Sequence, residues 1–442
     1  MYNNNIKKSI MKKNVFTLIL LGFSFFITNA QETVGGRVIK NAKDKTYNKG
    51  EQKSDETVDK ALNKAEETLT NIFKKKDKKK KGNNDETSDS KTLSYDPPVT
   101  KTDEAGNTDY SAYKDFDFVP AEKIIFFEDF ADQSIKRWGA YDVNELAVVA
   151  NEGKNWLEVK SGSFYPLGLK NLPKNFTLEF DVYTPDRNTG SLGLRFLDKL
   201  QANSLQDPYL DNSSEITISP ITQMPKTGLA TFAIKTNNDQ INPENEFQFY
   251  SWQPELNNYY AKISLKCENN KLSLWINKEK IIENAEFLVA NRDHVLAFHI
   301  QNYFVAENRM YFTNFRLATG NANPKNDITT KKKFVTQNIF FDVNSDVIRP
   351  NSYAILKQIA ESIQSIDGNI KIVGHTDSDG KDTDNLVLSQ KRAESVKRAL
   401  VNEFGIDANK LSTEGKGESV PLNKNTNALE KAQNRRVEFI KL

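Results

Sequence analysis

Apolar and polar positions follow one another along this chain in four successive patterns. The stretch from Val15 to Ile27, "VFTLILLGFSFFI", is almost wholly apolar; Lys7, Lys8, Lys12 and Lys13 precede it, and "TNA" follows, ending at Ala30. A basic start, a short apolar core and a small-residue exit predict a secretory signal peptide over residues 1–30, with Met11 as an alternative start. A membrane anchor needs about 20 apolar residues in a row, and this run is shorter. From 31 to 115 apolar residues thin out among "KKKDKKKK", "GNNDETSDSK" and "DPPVTKTDEAGNTD". Too little apolar surface is present there to offset chain entropy, which predicts a disordered spacer. Inside it Val58, Leu62, Ala65, Leu69 and Ile72 make one stripe, predicting a helix over about 53–76.

The pattern changes again over 116–318, where apolar residues alternate with polar ones between short turns. "FTLEFDVY" sends Phe176, Leu178, Phe180 and Val182 to one face, and "KLSLWIN" does so with Leu272, Leu274 and Ile276. Many short strands without a long helix predict an all-β sandwich. "TGNANPKNDITTKKK", 319–333, is rich in turn-formers and lysine and reads as a linker. The last pattern, 334–442, mixes periods. A strand in "FVTQNIFFDV" is followed by a helical stripe of Ile355, Leu356, Ile359 and Ile363 behind Pro350, a strand in "GNIKIVGH", a long helix ending at Gly405, and two more strands. The order βαβαβ predicts an α+β domain with helices packed on one sheet.

Charge narrows the functions little. The 61 basic and 59 acidic side chains leave a net charge of +2, so no general attraction to nucleic acid is expected, and the lysine run is either a solvated linker or a local grip on anionic lipid or wall polymer. The single cysteine, Cys267, rules out an internal disulfide, and none lies near Ala30 to carry a lipid.

The chemistry concentrates in "GHTDSDGKDTDN", Gly374–Asn385. Its aspartates suggest a cation loop, yet a helix-loop-helix calcium site takes oxygen ligands at positions one, three and five and glutamate at twelve. Counted from Asp377, Lys381 and Leu388 occupy positions five and twelve; counted from Asp379, Lys381 is already third. No metal is expected. Asp382 and Asp384 suit a helix N-terminus, where carboxylates accept backbone N–H bonds and oppose the dipole. Within the long helix Arg392 shares an arc with Leu388, Val396, Ala399 and Leu400, so its charge needs a partner. Asp377 ends a strand beside that helix. The two make either an internal salt bridge or a zwitterion trap, Asp377 taking an ammonium and Arg392 a carboxylate.

"IFFDVNSDVIRPNS", "VGHTDSDG", "NLVLSQKRAESVKRAL" and "NRRVEF" closely resemble the OmpA-like peptidoglycan-binding domain family across 334–442. The resemblance implies that Asp377 and Arg392 bind the free ammonium and carboxylate of diaminopimelate in the peptide stem. It places Asn344, Thr376, Asn385 and Arg435 at supporting positions of the pocket and makes His375 structural. In the middle of the chain, "FFEDFADQSIKRWGAY", "LPKNFTLEFDVYTP", "LSLWINKEKI" and "MYFTNFRLA" resemble concanavalin A-like (laminin G-like) jelly rolls. That fold hosts both sugar binders and glycosidases. Retaining hydrolysis needs two close carboxylates. Glu179 and Asp181 share a strand face, but Thr184 stands where the glucanase pattern has its third carboxylate, and alternation assigns both acids to a solvated side. Aromatic residues in "FQFYSWQPELNNYY", Phe247 to Tyr260, are candidates for stacking on sugars.

These readings predict an exported, noncatalytic protein without a cofactor, in the periplasm or on the periplasmic face of the outer membrane. It would hold peptidoglycan through its C-terminal domain and a glycan or envelope protein through its sandwich. Two alternatives stand beside it: a wall-anchored glycan hydrolase, and a tether that oligomerises through its N-terminal helix.

Overall fold

The structure is a computed structural model that describes residues 100–442 apart from 104–105, 141–145, 152, 186–188, 200–212, 222–226, 237–238, 242–245, 257–258, 290 and 302–308. The expected signal peptide, the helix over 53–76 and most of the spacer lie outside the described residues. Among the described residues, no helix is long and apolar enough to cross a membrane.

Among the described residues the first domain is built from strands and one 3-10 turn (Pro254–Leu256): β1 (Lys123–Glu128), β2 (Trp138–Ala140), β3 (Leu146–Asn151), β4 (Lys154–Val159), β5 (Gly162–Pro166), β6 (Phe176–Tyr183), β7 (Ser191–Asp198), β8 (Ser213–Ser219), β9 (Gly228–Thr236), β10 (Asp239–Ile241), β11 (Glu246–Phe249), β12 (Tyr260–Glu268), β13 (Lys271–Ile276), β14 (Glu279–Glu286), β15 (His294–Gln301) and β16 (Met310–Thr319). They form two antiparallel sheets of eight strands. One runs β14-β13-β12-β6-β16-β4-β3 with β1 also on β16; the other runs β10-β9-β8-β7-β15-β5-β2 with β11 on β9. Alternation explains the sandwich. Phe176, Leu178, Phe180 and Val182 of β6 meet Leu192, Leu194 and Phe196 of β7 and Phe298 of β15 in one core between the sheets. The β12–β13 hairpin closes on Asn269 and Asn270, at φ of 51° and 66°, the left-handed pair that a two-residue turn matched to strand twist requires.

Two expectations for this domain fail. Glu179 and Asp181 are not solvated: they are 1% and 5% exposed. Arg316 of β16 lies 3.2 Å from Glu179 and Lys262 of β12 lies 3.2 Å from it on the other side, while Asn314 donates to Asp181 at 2.6 Å. The outward face of this sheet is covered by another part of the chain, so period-two alternation marks two buried faces there. The candidate sugar-stacking aromatics also divide. Phe249 and Trp252 are fully buried core residues, and Tyr250 is exposed.

The cover comes from the C-terminal domain and from the segment leading into the sandwich. Residues 100–103 and 106–122, of which those up to 115 were expected in the spacer, are ordered as a strap. Tyr110 enters the C-terminal core, and Thr108 donates to the Ile348 carbonyl. Phe116 and Phe118 pack on Trp275 of the sandwich, where Asp117 accepts from the indole. The linker is ordered as well. It holds α1 (Pro324–Thr330), capped by the Asn323 side chain, with Ile328 in the C-terminal core. Asn at the N-cap and Pro at the first helical position are strong start signals.

The C-terminal domain continues through β17 (Lys333–Thr336), α2 (Tyr353–Gln364), β18 (Ile370–Gly374), α3 (Asp382–Asn402), β19 (Leu411–Gly415), α4 (Ala428–Asn434) and β20 (Val437–Lys441). The sheet order is β17-β20-β18-β19, with β18 and β19 parallel and the other pairs antiparallel. The stripe Ile355, Leu356, Ile359 and Ile363 is buried, and Gly405 at φ 69° closes the end of α3. One further short helix, α4, interrupts the expected βαβαβ order.

Candidate functional site

The site lies where β18 runs out at Gly374 and the chain turns toward α3. Helix α3 comes down close on the two parallel strands because both end in glycine. A Cβ on Gly374 would collide with the Ser389 carbonyl, and one on Gly415 with the Gln390 backbone nitrogen. The buried line of α3 is correspondingly small: Asn385, Ser389, Ala393, Val396 and Leu400. Arg392 therefore stands at the margin of that line, half-buried, and not inside it as the helical arc suggested.

The loop is pinned at both ends. His375 donates its backbone N–H to the Arg436 carbonyl and Thr376 to the Gly417 carbonyl, both at 3.0 Å. The Asn385 side-chain amide donates to the carbonyls of Asp377 at 3.3 Å and Asp379 at 3.1 Å, and to the Glu418 carboxylate at 2.5 Å. That one side chain ties the loop to the first turn of α3. Helix α3 starts at Asp382 with Lys381 as its cap residue, so Asp382 and Asp384 lie in the first turn, but neither cap bond expected of them forms. Thr376 is buried, and its hydroxyl has no hydrogen-bond partner.

Asp377, 9% exposed, is half engaged. Its Oδ1 accepts from the Asp379 N–H at 3.2 Å, and its Oδ2 pairs with Arg435 at 2.6 Å. The internal salt bridge between Asp377 and Arg392 does not form. Arg392 instead donates Nε to the Ser345 carbonyl at 3.0 Å and lies 4.9 Å above the Phe341 ring. Ser345 follows Asn344, whose φ of 52° makes the turn that presents this carbonyl; asparagine tolerates that region better than most residues. Among the described residues the two terminal nitrogens of Arg392 have no protein partner. Burial, and then the charge of Arg435, lower Arg392 to about 10, so it stays cationic at neutral pH. Asp379, given no role by the sequence, pairs with Lys431 of α4 at 2.6 Å.

Of the six sequence-predicted residues, Thr376 and Asp377 follow the end of β18, Asn385 and Arg392 lie on α3, Asn344 is in the turn facing Arg392 and Arg435 follows α4, with Asp377, Arg392 and Arg435 forming the charged centre. Sequence reasoning missed the Phe341 platform, although alternation along "NIFFDV" marks Phe341 as one of a facing pair with Ile339. It also gave Arg435 a supporting place where the structure makes it the direct partner of Asp377. His375 is buried and pushed down to about 4, chiefly by burial and then by Arg436, so it is neutral. Among the described residues, no three His, Cys, Asp or Glu side chains converge as a metal site would need.

Residues 340–435 match the family model of the OmpA family. Outer membrane protein A of Bordetella avium is 44% identical over 101 residues, covering 23% of this chain and 52% of that protein. Outer membrane porin F of Pseudomonas aeruginosa is 39% identical over 105 residues, covering 24% of this chain and 30% of that protein. Among solved structures, the peptidoglycan-associated lipoprotein from Burkholderia pseudomallei is 31% identical and covers 27% of this chain and 100% of that chain, at a TM-score of 0.23. The chain thus spans about half, or less, of the length of these curated relatives. The family match thus places an OmpA-like domain at residues 340–435, after the β-sandwich.

Proposed function

We propose that this chain is a cell-envelope protein that binds peptidoglycan noncovalently, recognising diaminopimelate in the peptide stem. The observation that carries this reading is the pairing of two incompletely satisfied charges at one strand end. Asp377 has a carboxylate held by Arg435 and a backbone N–H, with lone pairs left to accept an ammonium. Arg392 has its Nε fixed and its fork of terminal nitrogens unpartnered, which suits bidentate capture of a carboxylate. A stem residue carrying both groups satisfies both. Support also comes from the OmpA-family match and from the outer-membrane relatives, which favour an exported location at the periplasmic side of the envelope.

We further propose that the chain binds and does not catalyse. The carboxylates that the glucanase pattern marks, Glu179 and Asp181, are buried and ion-paired, with Arg316 between Glu179 and Asn338 of the C-terminal domain, which leaves them no route to a sugar. The sandwich, whose strands resemble a concanavalin A-like jelly roll, is proposed as a second binding module for a glycan or an envelope protein. Retention on purified sacculi tests the principal reading. Wild type is expected to sediment with sacculi while Asp377→Ala and Arg392→Ala stay in solution, and equal sedimentation of all three would remove the assigned site.

A further inference from the structure

The sandwich reaches the site through its first strand. On β1 and β16, Phe127 pairs in register with Arg316, and residues opposite each other on antiparallel strands project from the same face. Both side chains run into the C-terminal domain. Arg316 donates to the Asn338 side chain at 2.6 Å. Phe127 places its ring 5.5 Å from the Arg435 guanidinium, the group that grips Asp377. The backbone fixes this approach independently, because Gln433, at the end of α4, donates its side-chain amide to the Ile124 carbonyl of β1 at 3.0 Å. Asp129, just beyond β1, is also among the charges acting on Lys431, which holds Asp379 at the other side of the loop.

An arginine that only had to neutralise Asp377 would need no aromatic partner. A planar guanidinium resting on a ring has its rotation restricted, and so has the hydrogen bond it donates. We propose that Phe127 is a positioning residue for the peptide-stem site: strand β1 sets the plane of Arg435, Arg435 sets the carboxylate of Asp377, and the sandwich is in this way one wall of the C-terminal site. The inference rests on the peptidoglycan reading above. It also means that wall binding depends on a contact between domains.

The test is calorimetric titration of the full chain with a muropeptide stem containing diaminopimelate. Phe127→Leu keeps apolar bulk and removes the ring, and it is expected to weaken binding about two- to five-fold, the worth of an exposed cation–π contact, without moving the unfolding midpoint. Phe127→Trp is expected to bind as tightly as wild type. In an Arg435→Lys background, where the planar group is gone, Phe127→Leu is expected to have no further effect. Unchanged affinity for Phe127→Leu, loss in Phe127→Trp equal to that in Phe127→Leu, or full additivity with Arg435→Lys would each overturn the proposal. Asp377→Ala run in parallel separates the two claims. If it binds the stem as well as wild type, the peptidoglycan reading falls; if it loses the stem while Phe127→Leu does not, only the role of Phe127 falls.

Discussion

Two of the clusters in which arginines meet carboxylates, one around Glu179 and one around Asp377, are finished differently. Around Glu179, Arg316 and Lys262 supply opposite charge from two strands, Asn314 donates to Asp181, and Arg316 gives its terminal nitrogens to Glu179, Asn338 and the Ala121 carbonyl, leaving only its buried Nε without a partner among the described residues. Around Asp377, Arg435 and one N–H take part of the carboxylate, and Arg392 keeps its fork unpartnered beside it. The same residue types serve opposite ends. A buried arginine whose terminal fork is taken up by the protein joins two domains, whereas a carboxylate held by Arg435 beside an arginine held only by Ser345 and Phe341, its fork open, is prepared for a ligand. Identity of the charged residues therefore says little, and whether the guanidinium fork is already occupied decides.

Four perturbations sharpen this contrast. The largest effect on folding is expected from Arg316→Ala, which strips the buried Glu179 of one partner and should cost about 3–5 kcal/mol in chemical denaturation. Arg392→Ala should leave that midpoint nearly unchanged yet reduce affinity for the stem by about 2 kcal/mol, roughly 30-fold, in a direct titration. Gly374→Ala should lower stability by about 1–3 kcal/mol, because the added methyl has only the Ser389 backbone to displace, and thermal unfolding would show it.

The smallest effect is pH-dependent and belongs to the domain interface. Glu122 in the strap keeps part of its stem accessible, but its carboxyl faces inward: Oε1 accepts from Thr336 and Oε2 is buried without a partner. Burial, opposed chiefly by Arg316, pushes Glu122 up to about 7. A carboxyl whose folded value is raised binds its proton more tightly in the native state than in the unfolded one. Its stability cost is absent below about pH 4.5, grows as pH rises, and is complete above about 7. Glu122→Gln should therefore gain up to about 1–2 kcal/mol over wild type at pH 8 and nothing at pH 4.5, as measured by urea denaturation at each pH.

Much of the architecture could be read from the periods of the chain. The inward faces of β6 and β13, the stripe of α2 and the close of α3 at Gly405 all follow from local spacing. Two of the readings that failed share a cause: they concern surfaces buried by residues far away in sequence. Glu179 looked solvated because alternation cannot see that Asn338 and the strap cover the outer face. The strap up to residue 115 looked like spacer because Tyr110 and Tyr113 are single apolar residues, one packed on the C-terminal core and one on the Phe116–Trp275 cluster, instead of a stripe on one element. Within 319–333, read as a linker from its turn-formers and lysines, the short helix α1 was missed for a local reason, the start signal Asn323–Pro324 having gone unread. At the site, Asp377 and Arg392 were legible through motif resemblance. The partner of Asp377 was not, since Arg435 lies 58 residues further on and no spacing rule joins a loop to the end of a distant helix.

The division of labour between Asp377 and Arg392 is the central claim, and one comparison tests it most directly. Wild type and Arg392→Ala are titrated with two stem peptides that differ only at the third residue, diaminopimelate in one and lysine in the other. Lysine keeps the ammonium and lacks the carboxylate. The account predicts that wild type prefers the diaminopimelate stem by roughly 30-fold and that Arg392→Ala binds both stems equally and weakly, because the interaction removed from the ligand and the one removed from the protein are the same. A preference that survives in Arg392→Ala, or a wild type that binds both stems alike, would contradict it.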